Sequence, residues 1–275
     1  MKTVLKWAGS KVRIIETLKQ HLPAGQRLVE PFAGSCAVMM NTDYDEYLIA
    51  DVNPDLISLY QAIKLDAEQF IQDAKRYFEV GNDAERYYSI RAEFNLCSDW
   101  QWRAAMFLYL NRHCFNGLCR YNQSGGFNVP FGKYKAPYFP EEEIRAFAEK
   151  AVRATFVCCD YSEALRMVRP GDVVYCDPPY LTETGNFTAY HSDGFGLEGH
   201  GRLARRARRL SAKGIPFVLS NSDTAMVRYL YKDFSITEIT APRSIGAAAG
   251  SIKSAQEIIA KVLPAKQLQE VIACE

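Results

Sequence analysis

The sequence predicts an α/β fold: a doubly wound sheet interrupted by a mostly helical segment that contains a β-hairpin. Three observations carry this prediction. Short apolar runs at 27–32 and 47–50 flank Ala33-Gly34-Ser35, and the second run ends on Asp51. From about 56 to 112 the hydrophobic period is helical, and alternating strands resume after 154.

The elements follow in order. Residues 27–32 read as a buried strand, 33–35 as the tight turn into a helix at about 36–41, and 47–50 as the next strand. A Gly-containing loop lets the backbone approach a ligand, and an acid after the second strand suits ribose hydroxyls; Gly-x-Gly-x-x-Gly is absent, which disfavours a dinucleotide. Helices are expected at roughly 56–64, 68–78, 84–96 and 101–112. Asn122-Gln123-Ser124-Gly125-Gly126 then marks a turn between 119–121 and 127–129, read as a hairpin. A helix at about 141–152 leads to strands at 155–158, 173–176, 217–220, 234–240 and 258–262. The sequence-based division assigns 1–53 plus 141–275 to a catalytic domain and 54–140 to a target-recognition domain.

Composition narrows the class. The 48% hydrophobic fraction is that of a globular chain. The longest apolar run, 104–110, is far shorter than the roughly 20 residues of a membrane helix, and the first residues lack a signal-peptide core. A soluble, cytoplasmic protein is expected, with no membrane association and no obligate protein partner. Eight cysteines contain no Cys-x-x-Cys pair and four histidines form no ligand-spaced cluster, so neither a metal site nor a disulfide framework is indicated and most thiols should be reduced and buried.

The net charge of +1 says little about nucleic acid, but its distribution says more. Residues 104–140 carry no acid, while Arg112, Arg120, Lys133 and Lys135 stand among many aromatics. The first fifteen residues carry Lys2, Lys6, Lys11 and Arg13 without an acid. Arg202, Arg205, Arg206, Arg209 and Lys213 share one helical face opposite Leu203, Ala207 and Leu210; a solvated amphipathic face is the simpler account of that cluster.

Asp177-Pro178-Pro179-Tyr180, directly after the apolar run 173–176, brings a carboxylate, a rigid carbonyl and an aromatic ring to a strand end. Two prolines fix φ and remove N–H donors, so the turn offers acceptors in a fixed direction. Such a set suits methylation of a planar amino group. The lone pair of an exocyclic amine is delocalised into its ring, and hydrogen bonds from both amino protons to Asp177 and the Pro178 carbonyl push density back onto nitrogen while Tyr180 stacks on the base.

With Leu5-Lys6-Trp7-Ala8-Gly9-Ser10-Lys11, Val29-Glu30-Pro31-Phe32-Ala33-Gly34-Ser35, Asp51, Leu110-Asn111-Arg112, 116–122 and 127–132 in this order, the chain resembles the Dam-type bacterial DNA adenine-N6 methyltransferases over nearly its whole length. The resemblance implies a Rossmann-like methyltransferase sheet, S-adenosylmethionine as methyl donor, and double-stranded DNA as substrate, methylated at adenine in GATC. It implies that Trp7 and Lys11 contact the cofactor, that Phe32, Ala33, Gly34 and Ser35 form the loop under the methionine moiety, that Asp51 takes the ribose hydroxyls, and that Asp160 meets the cofactor's adenine. Asp177, Pro178 and Tyr180 would be catalytic, with Asp177 also lining the cofactor site. Cys36 departs from the family, which commonly has a second glycine there.

For DNA, the resemblance implies target reading by Lys6, Leu118, Arg120 and Pro130, an intercalating ring at Phe115, where the family often has Tyr, and Asn116 facing the orphaned thymine. Each residue alone has a plainer reading: Trp7 and Phe115 as packing, Arg120 as a surface charge, Asp51 as the cap of the following helix.

Neighbouring chemistries use a similar turn. Cytosine-N4 enzymes typically carry Ser at the position of Asp177 and glutamine-directed enzymes Asn, while RNA adenine remains an alternative substrate. Cytosine-C5 chemistry needs a nucleophilic cysteine, usually after proline, and no Pro-Cys dipeptide occurs. A binding-only protein on a dead scaffold would have no physical need of Trp7, Lys11, Asp51 and Asp177 together.

Overall fold

The structure, a computed structural model, describes residues 1–181, 195–243 and 253–264. It divides into two compact units: Met1–Val12, Gly34–Asn41 and Asp51–Cys158 in the first, and Arg13–Ala33, Thr42–Ala50 and Cys159–Glu275 in the second. Its helices are α1 (Ile15–His21), α2 (Ala37–Asn41), α3 (Pro54–Leu65), α4 (Ala67–Glu79), α5 (Ala84–Leu96), α6 (Trp100–His113), α7 (Glu141–Ala151), α8 (Tyr161–Ala164), α9 (Leu197–Ala212) and α10 (Ala225–Leu230). The strands are β1 (Arg27–Glu30), β2 (Glu46–Asp51), β3 (Ala154–Cys158), β4 (Asp172–Cys176), β5 (Phe217–Ser222), β6 (Ser235–Arg243) and β7 (Lys253–Val262).

In the second unit the strands run in the order β2-β1-β4-β5-β7-β6, parallel except for β7, which is antiparallel to both β5 and β6. The α/β prediction therefore holds, with a mixed sheet. β4 is buried throughout, which explains its apolar run. The chain leaves β1 for β2 on one side and later returns as β4 on the other, with Leu28 opposite Val173 and Val29 opposite Val174. Sheets of this kind hold ligands beyond the carboxyl ends of the strands at such a reversal, here those of β1 and β4. Phe32-Ala33 and Asp177-Tyr180 both issue from those ends.

The first unit is mainly helical. α6 is its central element, buried continuously from Ala104 to His113, with α3, α4 and α5 packed on it. Side-chain caps begin its helices: Asn53 accepts from Asp55 and Leu56, Asp66 from Gln69, Asp83 from Arg86, and Asp99 from Gln101 and Trp102. Asn53, not Asp51, therefore caps α3, and the plainer reading of Asp51 is overturned.

The hairpin expected between 119–121 and 127–129 is present as a short one, with Asn128 N–H donating to the Arg120 carbonyl at 3.1 Å. Tyr121 bridges Phe127 as an isolated pair, and Asn122 N–H donates to the Gly126 carbonyl at 2.9 Å. α5 takes the groups that face away from this ladder. Asn95 donates to the Phe127 carbonyl and accepts its N–H, while Tyr87 and Arg91 both donate to the Val129 carbonyl.

On α9, Leu203, Ala207 and Leu210 are buried and Arg202, Arg205, Arg209 and Lys213 exposed, as their spacing implied. Arg206 differs: it is half-buried and donates to the Leu165 carbonyl at 3.2 Å. Cys36, Cys114, Cys119 and Cys176 are buried, Cys97 and Cys159 are half-buried and Cys158 is exposed; Cys274 lies outside the described residues. No helix among the described residues is long and apolar enough to cross a membrane.

Candidate active site

β4 ends at Cys176 and delivers Asp177 half-buried, Pro178 buried and Tyr180 half-buried. In the β4-β5 register Cys176 faces Leu219, which brings the next pair, Asp177 and Ser220, together. Ser220 Oγ donates to Asp177 Oδ1 at 2.8 Å. Tyr175 Oη lies 2.8 Å from Ser220 Oγ, and because the serine has already given its proton, the tyrosine must donate. Burial, followed by the charge of Asp177, holds the Tyr175 phenol well above its ordinary pKa, so the donor stays protonated. The result is a buried relay from Tyr175 through Ser220 that orients the carboxylate.

Tyr180 adjoins the same group of side chains. Its hydroxyl donates to Glu257 Oε2 at 2.9 Å, from a β7 residue paired with Ser222 on β5. Burial first, then the charges of Asp177 and Glu257, push the Tyr180 phenol well above its ordinary range. Ser220, Tyr175 and Glu257 were not singled out from the sequence. Their relation to the turn depends on strand register, which no local motif carries; two apolar strands ending in Asp and Ser offered the only available signal.

Phe32, just beyond β1, stacks on Tyr161 with ring centroids 5.4 Å apart and 18° between planes. Ala33 is buried and its N–H donates to the Ala50 carbonyl at 2.9 Å. Asp160 is exposed and caps α8, accepting from Ser162 N–H at 2.8 Å.

The remaining cofactor candidates belong to the first unit, where Gly34, Ser35, Asp51 and Trp7 form one cluster. Gly34 has φ +46°, and a Cβ there would stand 2.9 Å from the Trp7 indole Nε1, so glycine is required for the indole to approach. Gly34 N–H donates to Asp51 Oδ2 at 3.1 Å, Asn53 N–H donates to Asp51 Oδ1 at 3.0 Å, and Tyr60 Oη donates to the Gly34 carbonyl at 2.5 Å. Ser10 and Ser35 hydroxyls lie 2.9 Å apart, and buried Lys11 donates to the Gly9 carbonyl at 2.7 Å. Cys36 adopts φ +55°, the left-handed region that explains why glycine is usual at this position. A glycine beside an indole, with a strand-end carboxylate, two hydroxyls and a buried ammonium, fits a nucleoside joined to an amino acid.

The DNA candidates are also in the first unit, and the structure gathers most of them. The Asn111 side chain accepts from Lys6 N–H at 2.9 Å and donates to the carbonyls of Lys6 and Gly117 at 2.8 and 3.3 Å. It thereby ties the amino-terminal segment to the 115–117 turn. Gly117 has φ +64°, and a Cβ there would meet Lys6 Cβ at 2.4 Å. The Lys6 ammonium sits 3.7 Å from the Tyr134 ring centroid and donates to the Arg112 carbonyl at 3.4 Å; burial and the Arg112 charge lower its pKa. Phe115 is 49% exposed, which rules out its being core packing, while its N–H donates to the carbonyl of exposed Pro130 at 2.8 Å. Asn116 adopts φ +56°, which asparagine tolerates, and Leu118 is half-buried. Arg120 is exposed, with Nε donating to Asn128 Oδ1 at 2.7 Å and Nη2 to the Asn128 carbonyl at 3.3 Å.

Comparison with known proteins agrees with this chemistry. Residues 7–245 match the family described as D12 class N6 adenine-specific DNA methyltransferase. The retron Ec67 DNA adenine methylase of Escherichia coli is 57% identical over 262 residues, covering 94% of this chain and 91% of that protein. The DNA adenine methylase of Serratia marcescens is 48% identical over 248 residues (89% and 92%), and that of Escherichia coli K12 is 46% identical over 266 residues (96% of each). With the family matched over residues 7–245 and relatives matching the chain nearly end to end, the chain belongs to the D12 class of N6 adenine-specific DNA methyltransferases and is a site-specific DNA adenine methyltransferase of the Dam family.

Proposed function

We propose that the enzyme transfers a methyl group from S-adenosylmethionine to N6 of an adenine flipped out of duplex DNA, within GATC. The observation that carries the chemistry is the Ser220–Asp177 hydrogen bond at 2.8 Å, which aims a carboxylate from an acceptor-only turn. The donor, when bound, supplies an electrophilic methyl on a sulfonium. Trp7, Lys11, Phe32 to Ser35 and Asp51 would hold it, the Asp51 carboxylate meeting ribose hydroxyls and Lys11 meeting the amino-acid carboxylate. Asp160, whose Oδ1 takes the capping bond, would meet the donor's adenine through Oδ2.

Asp177 and the Pro178 carbonyl accept hydrogen bonds from the two amino protons of the target, localising the N6 lone pair for in-line attack that would leave a neutral thioether; the proton that N6 sheds would pass through Asp177 to solvent. Tyr180 supplies the stacking plane. Phe115 fills the gap left by the extruded base, Asn116 meets the orphaned thymine, Leu118 and Pro130 pack on thymine methyls, and Lys6 and Arg120 read guanine edges. The relatives named above are DNA adenine methylases, which supports the substrate; GATC rests on the Dam resemblance. The test is transfer of labelled methyl to duplexes differing by one base pair in and around GATC. Equal transfer to all single mismatches would refute the sequence assignment.

A further inference from the structure

The turn that carries Tyr180 is held from behind by two buried side chains with no part in the chemistry so far. His200 on α9 and Asn221 on β5 are both 0% exposed. His200 Nε2 lies 3.0 Å from the Pro179 carbonyl oxygen, and a carbonyl can only accept, so Nε2 carries the proton. The lone pair of the neutral ring is then on Nδ1, 3.3 Å from Asn221 Nδ2, which donates to it. This fixes the orientation of the Asn221 amide and turns its Oδ1 to the N–H groups of Leu181 at 3.3 Å and Ser222 at 2.9 Å. Ser222 Oγ in turn donates to the Leu181 carbonyl. The edge of Phe195 closes on the imidazole, with centroids 4.7 Å apart at 79°. Burial holds His200 neutral, its pKa lowered to about 4 against the opposing pull of the Pro179 bond.

The bridge has a definite target. Pro178 and Pro179 have φ fixed by their rings, but Tyr180 does not, and its position depends on the peptide groups on either side of it. One of those groups supplies the Pro179 carbonyl to His200, and the other supplies the Leu181 N–H to Asn221. We propose that His200 and Asn221 are positioning residues for methyl transfer: acting as one bridge, they fix the main chain on both sides of Tyr180 and so the plane on which the target base stacks. The inference rests on the stacking role of Tyr180 proposed above.

The test is steady-state and single-turnover kinetics on the full chain with cognate duplex. His200→Phe keeps a planar ring and removes both hydrogen bonds. It should lower kcat about 10- to 100-fold, the scale of a misplacement of about 1 Å, with KM for DNA and for the methyl donor within about twofold of wild type. His200→Gln can donate to Pro179 and accept from Asn221, and should recover most of the loss. In a Tyr180→Ala background, His200→Phe should cause little further loss, because the group it positions is gone. If Tyr180→Ala alone leaves kcat unchanged, the stacking role falls. If Tyr180→Ala lowers kcat and His200→Phe multiplies that loss, or if His200→Gln is no better than His200→Phe, the positioning role falls while stacking stands. Should His200→Phe give no folded protein, Asn221→Ala breaks the bridge from its other end and carries the same cycle with the same decisive outcomes.

Discussion

Ser220 donates to Asp177 across the β4-β5 boundary at 2.8 Å, and Tyr175 donates to Ser220 behind it at the same distance. The carboxylate is thus oriented before substrate arrives, as preorganised transition-state stabilisation requires. Asp177→Ala should abolish methyl transfer and leave duplex binding largely intact, because the carboxylate acts on the flipped amine and not on phosphates. Asp177→Asn, which keeps an acceptor oxygen, is allowed partial activity. Ser220→Ala should lower kcat about tenfold with little change in KM, the expected cost of losing one orienting hydrogen bond to a charged group. Wild-type turnover by Asp177→Ala would remove the basis of the mechanism.

Tyr180 is anchored to Glu257 through its hydroxyl and offers its ring to the base. Tyr180→Ala should cost about 1–3 kcal/mol of stacking, read as a fall in kcat and in kcat/KM alike. Tyr180→Phe keeps the ring and loses only the anchor, so it should be milder. A phenylalanine variant as impaired as the alanine variant would mean that the hydroxyl, not the stacking face, matters.

Phe115 presents a half-exposed ring from a turn that Asn111 ties to the amino-terminal segment. A ring that enters the helix only when adenine leaves it stabilises the flipped state and not the initial complex. Phe115→Ala should therefore weaken flipping more than docking. A fluorescent adenine analogue at the target position reports flipping directly, and an undiminished fluorescence rise in the variant would count against intercalation.

Folding stability should decline on acidification below about pH 6.5. His200 and His113 have pKa values lowered from 6.5 to about 4 by burial. Between those limits the unfolded chain binds more protons than the folded one, so stability present above pH 6.5 is lost as pH falls toward 4, by at most about 3 kcal/mol per histidine. Urea unfolding of His200→Gln across this window should show a slope shallower by about one proton. An unchanged slope would mean that His200 titrates normally in the folded protein.

What the sequence revealed, and what it hid, follows the range of the interactions. β4 was legible because every one of its residues is buried, and α5 matched its expected limits because Asp83 caps it and its buried residues Tyr87, Ile90 and Phe94 keep a helical period. The unusual backbone at Cys36 was foreshadowed by a missing glycine. The hairpin was legible from its turn at 122–126, but its anchoring by Asn95, Tyr87 and Arg91 on α5 was not, because those partners are more than thirty residues away in sequence. Ser220, Glu257, His200 and Asn221 were invisible for the same reason. Each reaches the Asp177 turn only through the packing of β5, β7 and α9.

The sharpest prediction concerns Arg120. Its side-on edge, Nε and Nη2, is engaged by Asn128 Oδ1 and the Asn128 carbonyl at 2.7 and 3.3 Å. Two contacts on one edge of a planar fork hold its plane and leave the Nη1–Nη2 end for a base, the geometry that meets guanine O6 and N7. A bidentate contact of this kind gives about 1–3 kcal/mol of discrimination, roughly 5- to 150-fold, whereas a phosphate contact has no base preference. Arg120→Ala should relax selection at the fourth base pair of GATC and nowhere else, and Asn128→Ala should relax the same position more weakly, because the fork survives but is less directed. Methyl transfer to the four duplexes varied at that base pair, measured at two salt concentrations, decides the matter. If Arg120→Ala loses activity equally on cognate and mismatched duplexes and the salt slope falls by about one, Arg120 is a phosphate clamp and the reading of the turn is wrong.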